Sequence, residues 1–221
     1  MNLSFVLPSG RLLEESANLL SAIGLEIPER HSREMEVKDG CRSFVFAKAF
    51  DVPVYVEHGI DIGIAGSDVV SERGCDVFIP LEFPFGKCRM SVIAPKESVF
   101  SVSEMEGYTV ATKYPKTAER FFDSAGIAVN VVKLHGAVEL GPKVGISDAI
   151  VDIVDSGNTM RANGLKEIGI ISEVNAVLLV NRISQKTKFG TINEIVNRIR
   201  NLNPRLTHAA QMLRNDFKSI H

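Results

Sequence analysis

The strongest constraint on how this chain can fold is a rhythm. Apolar runs of strand length alternate with longer stretches in which apolar residues recur every three or four positions. "LSFVL" is followed by "GRLLEESANLLSAIG", in which Leu12, Leu13, Leu19, Leu20 and Ile23 fall on or near one helical face. "SFVFAKA", "DIGIA", "DVFIPL" and "RMSVIAP" read as further strands, with "VPVYVEHG" as a short helix among them. "YTVAT", "TAERFFDSAG", "VNVVKL", "AIVDIV", "TMRANGL" and "AVLLVN" continue the alternation. Ile192, Ile195, Val196 and Ile199 then mark a C-terminal helix from about Thr191 to Asn201.

Repeated strand-turn-helix units predict an α/β fold with largely parallel sheets. The polar, strand-poor stretch "APKESVFSVSEMEGY" separates two such sets, so two lobes are expected. Residues 1–90 with 181–221 form the first lobe and residues 91–180 the second. Strands near 87–95 and 174–181 would join them, and a cleft between lobes is where a small ligand is expected.

Composition narrows the function. The chain has 221 residues, 45% of them hydrophobic, and a formal net charge of −2, with basic residues spread rather than clustered. That argues against a nucleic-acid partner. The most apolar stretch, "AVLLV", is too short to span a membrane, and "MNLSFVLPSGR" lacks the features of a signal peptide. Cys41, Cys75 and Cys88 form no C-x-x-C, so reduced thiols in the cytoplasm are expected.

The chemistry concentrates in "VDIVDSGNTMRANGL", residues 151–165. Asp152 interrupts a buried strand, where an unpartnered carboxylate costs several kcal/mol. Asp155, Ser156, Gly157, Asn158 and Thr159 follow at the strand's carboxyl end, where open α/β sheets bind ligands. Backbone N–H groups and hydroxyls of such a turn suit a phosphate, while the carboxylates suit neighbouring hydroxyls. A phosphate beside a vicinal diol describes a ribose 5-phosphate. The plainer alternative is a helix N-cap beside a solvated aspartate.

Three other stretches carry polar groups at element ends. In "LPSGRLLEES", Gly10 breaks the first strand and Arg11 can hold a phosphate or carboxylate in its planar fork. In "HGIDIGIAGSDVVSE", Ser67 or Asp68 begins a helix; His58 sits at a helix end and suits the dipole there. In "EFPFGKCRMSV", Cys88 lies between Lys87 and Arg89, with no histidine signature for a thiol nucleophile. No His or Cys spacing suggests a structural metal.

The blocks "LPSGRL", "DVPVYVEHGIDIGIAGSDVV", "FGKCR", "VATKYP" and "GAVELGPKVGISDAIVDIVDSGNTMRANGL" together resemble the ATP phosphoribosyltransferases that begin histidine biosynthesis, in family order across about residues 5 to 170. The resemblance implies a two-lobed fold like type II periplasmic binding proteins, mixed sheets included. It implies transfer of the phosphoribosyl group of phosphoribosyl diphosphate (PRPP) to N1 of the adenine of ATP, releasing diphosphate. Mg²⁺ would be bound mainly through the substrate phosphates. The length is that of the short form, which implies a homo-oligomer, a dimer, paired with a regulatory subunit resembling histidyl-tRNA synthetase.

The same resemblance implies roles. The 155–159 turn would hold the 5-phosphate, Asp152 or Asp155 the ribose hydroxyls, and Glu139 would lie near the same site. Arg11 and Arg33 would stabilise leaving-group charge. Gly10, Lys48, Asp68 and Cys88 would lie on the ATP side. Three positions depart from the family pattern: Ser9 where many members have lysine, Lys143 where arginine is usual, and Asn158 where serine or threonine is usual. A non-catalytic two-lobed anion-binding protein is the alternative. A class I phosphoribosyltransferase would need adjacent acidic residues before its turn, whereas Asp152 and Asp155 stand three apart.

Overall fold

Leu3–Ser9 forms the first strand, β1, and its residues are buried along almost its whole length, as the centre of a parallel sheet requires. The computed structural model describes residues 2–29, 31, 34–98 and 101–202. After β1 come α1 (Leu13–Ala22), β2 (Glu36–Asp39), β3 (Arg42–Lys48), α2 (Val52–Glu57), β4 (Ile62–Gly66), α3 (Ser67–Arg73) and β5 (Val77–Glu82). The chain continues through β6 (Cys88–Pro95), β7 (Thr109–Thr112), α4 (Pro115–Ala125), β8 (Asn130–Lys133), β9 (Ala149–Val154), α5 (Asn158–Ala162) and β10 (Leu165–Val174). It returns by β11 (Ala176–Asn181), α6 (Arg182–Thr187) and α7 (Phe189–Leu202).

Two compact units result, one of the described residues up to Gly86 and from Asn175 onward, the other of Lys87–Val174. The first holds a six-stranded sheet in the order β2-β3-β1-β4-β11-β5. β1 runs parallel to β3 and β4, whereas β11 is antiparallel to β4 and β5. Alternation along β1 sends Leu3, Phe5 and Leu7 to one face, where they pack with Leu20 and with Ile192, Ile195, Val196 and Ile199 of α7. Phe5 and Phe44 stack there with centroids 5.1 Å apart. Val6 points to the other face and packs with Val52 and Val56 of α2. Helices thus cover both faces of this sheet, and its central strands β1 and β4 are mostly apolar.

The second unit holds five strands in the order β10-β6-β9-β7-β8. β9, β7 and β8 are parallel, while β6 runs antiparallel to both β9 and β10. Ile93, Ala111, Ile150 and Val154 form one side of its core, with Val138 packed on them. The fold is α/β with two mixed sheets.

Local chemistry sets the element ends. Gly10 has φ +120°, a conformation no helix includes, so α1 begins at Leu13 rather than at the glycine that opens the periodic stretch. The "TMRANGL" helix is the short α5, which ends before Gly164 at φ +72°.

Candidate active site

Strand β9 builds the core of the site. Ile150 and Val154 are buried in the second unit's core, and the two-residue period places Asp152 on the same face. Asp152 is half-buried, and its Oδ1 accepts the Ile153 N–H at 2.8 Å. The antiparallel register sets Ser91 of β6 directly opposite, on the same face. The Ser91 hydroxyl and Arg89 Nε both donate to Glu167 Oε2, at 2.8 and 2.7 Å. A hydrogen-bonded ionic network on β6 and β10 therefore lies beside the aspartate.

Beyond Val154 the chain turns through Asp155 and Ser156, both exposed, into Gly157 at φ +75°. Glycine suits this position chiefly through its left-handed backbone, which disfavours a side chain; an added Cβ would also lie 2.9 Å from Arg161 Nη1 and push that flexible guanidinium aside. Gly157 is the N-cap of α5, with no side-chain cap. Ser156 Oγ accepts the Asn158 N–H at 3.4 Å. Arg161, one turn on, donates from Nη2 to the Ser156 carbonyl at 2.9 Å and to Asn158 Oδ1 at 2.6 Å.

Glu139 reaches this place from a 3₁₀ turn, Val138–Leu140. The turn is preceded by Ala137 at φ +49°, which is the one positive-φ residue other than glycine among the described residues. That conformation costs on the order of 1 kcal/mol, a strain held in place beside the site. Glu139, Asp152, Asp155 and the 156–159 turn line one cavity of about 130 Å³, floored by Ile93, Ile150 and Val154. Thr112, at the end of β7, secures the neighbouring strand: its hydroxyl donates to the Val151 carbonyl at 2.6 Å and accepts the Tyr114 N–H at 2.9 Å. The cavity combines carboxylates with a turn rich in donors, which suits a ligand carrying both an anion and hydroxyls.

In the first unit the parallel strands β1, β3 and β4 end on one edge of their sheet; Lys48 is the last residue of β3, and Gly10, Arg11 and Asp68 follow the ends of β1 and β4. Ser9 pairs with Lys48 in register, and the Ser9 hydroxyl donates to the Ala47 carbonyl at 2.9 Å. Arg11 Nη2 approaches the Gly86 carbonyl at 3.4 Å. Lys48 is exposed, while Asp68, in the first turn of α3, is buried with its carboxylate folded over Gly66. A Cβ at Gly10 would meet no atom within 4 Å, so the edge is open above it. Cys88 belongs to the second unit, where it is the buried first residue of β6. Arg33 lies outside the described residues.

The structure also brings in groups that sequence patterning passes over. Arg161 had a signal, since it stands three residues after Asn158 on one helix. The Arg89–Glu167 pair and the Asn175 side-chain bond to Glu82 join residues far apart in sequence, for which no local spacing gives a clue. His58 is the C-cap of α2 and bonds the Val54 carbonyl through Nδ1 at 2.9 Å, the helix-end position its sequence context suggests.

A family model described as ATP phosphoribosyltransferase matches residues 48–201. The ATP phosphoribosyltransferase of Pyrococcus furiosus is 58% identical over 196 residues, which cover 89% of this chain and 96% of the relative. That of Petrotoga mobilis is 56% identical over 199 residues, covering 90% and 95%. Among solved structures, the ATP phosphoribosyl transferase (HisG:HisZ) complex from Thermotoga maritima superposes with a TM-score of 0.80 at 32% identity, over 90% of this chain and 97% of that one. The periplasmic aliphatic sulphonate binding protein of Escherichia coli shares the fold alone, with a TM-score of 0.61 at 15% identity over 99% of this chain and 75% of that one. On its sequence and on its fold, this chain belongs to the ATP phosphoribosyltransferase family.

Proposed function

We propose that this chain transfers the phosphoribosyl group of PRPP to N1 of the adenine of ATP and releases diphosphate, the first step of histidine biosynthesis. The observation that carries the site assignment is the single cavity in which Glu139, Asp152, Asp155 and the 156–159 turn meet. The turn holds the 5-phosphate through its N–H and hydroxyl donors. The carboxylates hold the ribose hydroxyls; Asp152 is the better placed to be rigid, because it lies within strand β9, between buried Val151 and Val154, whereas Asp155 lies in the exposed turn.

In the reaction the bond from ribose C1 to the diphosphate oxygen breaks, and a bond from C1 to adenine N1 forms. Adenine N1 supplies its own lone pair, so the protein's task is to orient the reactants and balance charge on the departing diphosphate. Arg11 and Arg33 are assigned to that charge. Gly10, Lys48 and Asp68 are assigned to ATP on the edge of the first sheet; Cys88, which the resemblance also implies for ATP, is a buried residue of the second unit.

Mg²⁺ fits this donor set. Among the described residues no three His, Cys, Asp or Glu side chains converge as a metal cage, while carboxylates line the cavity. Such an ion is held by one or two carboxylates and the substrate's phosphates, and when bound it offsets phosphate charge. The solved Thermotoga HisG:HisZ complex supports a HisZ-type partner for this chain; that this partner regulates, and that the chain works as a homodimer in the cytoplasm, is our assignment from the family resemblance.

The test is direct. Protein, ATP, PRPP and Mg²⁺ are mixed, with and without a regulatory subunit, and the ultraviolet absorbance of N1-phosphoribosyl-ATP is followed. Product that depends on both substrates is expected; none under either condition would exclude the assignment.

A further inference from the structure

We infer that Arg161 is a positioning residue that turns Asn158 into a hydrogen-bond donor toward the phosphate of the sugar substrate. This role presupposes that the 156–159 turn holds a phosphate, as proposed above.

An asparagine amide presents either a carbonyl oxygen or an NH₂ group, and the two ends have nearly the same shape. Toward a phosphate the NH₂ binds and the carbonyl repels. A free Asn158 would therefore be ambiguous in an anion site. Arg161 removes the ambiguity, because its Nη2 lies 2.6 Å from the amide end labelled Oδ1. A guanidinium carries donors only, so the atom facing it has to be the oxygen. Nδ2 is then committed to the other side.

The other acceptors of the turn are engaged in the same manner. The Ser156 carbonyl takes a bond from the same Arg161 nitrogen at 2.9 Å. Ser156 Oγ accepts the Asn158 N–H, so its own proton is directed elsewhere. The Thr159 carbonyl is bonded by Asn163, through its N–H at 3.2 Å and its Nδ2 at 2.9 Å. Gly157 lets the guanidinium lie close, since a Cβ there would sit 2.9 Å from Nη1. With these acceptors occupied from within the turn, Asn158 Nδ2 and the Ser156 and Thr159 hydroxyls join the turn's backbone N–H groups as donors toward an anion. Arg161 acts through Asn158 and needs no contact with substrate.

Steady-state kinetics on the intact protein, with its regulatory subunit if activity requires one, test this. One substrate is varied while the other is saturating, at fixed Mg²⁺. Arg161→Ala is expected to raise the KM for PRPP about tenfold, the scale of one hydrogen bond to a charged group, with the KM for ATP within about twofold. Asn158→Thr substitutes a hydroxyl that can rotate to donate without help. In that background Arg161→Ala should cost less than about twofold. An equal loss in both backgrounds would mean that Arg161 acts by charge or by holding the fold, and the inference falls. The comparison survives a lowered melting temperature, because both backgrounds carry the same deletion. Asn158→Asp, which offers no donor, should lose at least as much as Arg161→Ala. If Asn158→Ala and Thr159→Ala leave the KM for PRPP unmoved, the phosphate assignment itself fails. If they raise it while Arg161→Ala does not, only the role of Arg161 fails.

Discussion

Lys188 Nζ lies 2.8 Å from each carboxylate oxygen of Asp61, and the same ammonium donates to the Asn2 carbonyl at 2.8 Å. Asp61 is 2% exposed and also accepts from the Ser184 hydroxyl at 2.6 Å, the Ser4 N–H at 2.8 Å and the Ser4 hydroxyl at 3.0 Å. Ser4 is the second residue of β1, Asp61 precedes β4, and Lys188 separates α6 from α7. The network therefore fastens the C-terminal helices to the starts of the parallel strands, at the sheet edge opposite the one carrying Gly10, Lys48 and Asp68.

Removing one partner should expose what the pair does. Lys188→Met leaves a buried carboxylate without its countercharge, a change that costs several kcal/mol when both groups are fully buried. Lys188 is 26% exposed, so water compensates in part, and a loss of about 2 kcal/mol is expected. Chemical denaturation at neutral pH measures it. An unchanged midpoint would show that the pair is neutral for folding. The KM values for ATP and PRPP should stay within about twofold, because the network lies at the opposite sheet edge.

The same pair sets an acid dependence. Burial pushes the Asp61 carboxyl up, but hydrogen bonds from Lys188, Ser184 and Ser4 together hold it below its ordinary value of 3.8. A depressed folded-state value means that the stabilisation is fully present above the unfolded value and is lost as pH falls through the folded one. Wild type and Asp61→Asn should therefore differ most in melting temperature above about pH 5, and converge below 3.8. Parallel melting curves down to pH 3 would contradict this.

Gly63 tests how tightly α2 is seated on the first sheet. A Cβ at this β4 position would sit 2.6 Å from Val56 Cγ2, 3.1 Å from Val6 Cγ1 and 3.2 Å from Val52 Cγ1. The three valines are short and branched, so the backbone of α2 has to shift. Gly63→Ala should destabilise by about 1–3 kcal/mol, the cost of overpacking a filled core. A denaturant midpoint equal to wild type would indicate a loosely packed layer.

How much of this was legible in the sequence depended on whether a segment's pattern was set locally. β1, β4, β9 and β11 are apolar runs buried by flanking helices or strands, and such runs announce themselves. β2 is "EVKD", an edge strand with one buried residue out of four, held by pairing with β3 rather than by an apolar pattern of its own. β10 carries "LKEIGIISEV" with register shifts after Glu167 and Ile170, so its alternation is broken by irregularities that only pairing with β6 defines. In the site, Asp152 and the 155–159 turn were readable because they are contiguous. Glu139 came from the resemblance, and its approach to the turn depends on the strained Ala137. Arg161 was passed over because an arginine on a short polar helix looks like an ordinary solvated side chain.

The two substrate assignments predict separate kinetic effects. Asp155→Ala and Thr159→Ala alter the cavity of the second unit, so each should raise the KM for PRPP about tenfold or more while moving that for ATP much less. Lys48→Ala, on the edge of the first sheet, should do the reverse. Its exposed ammonium can meet a phosphate only as a point charge, so a rise of about five- to tenfold for ATP is expected, shrinking as salt is added. Isothermal titration with each substrate alone checks the same split without turnover. Equal losses for both ligands from either class of variant, with melting temperatures intact, would show that the two sites have been assigned to the wrong substrates or are not separate.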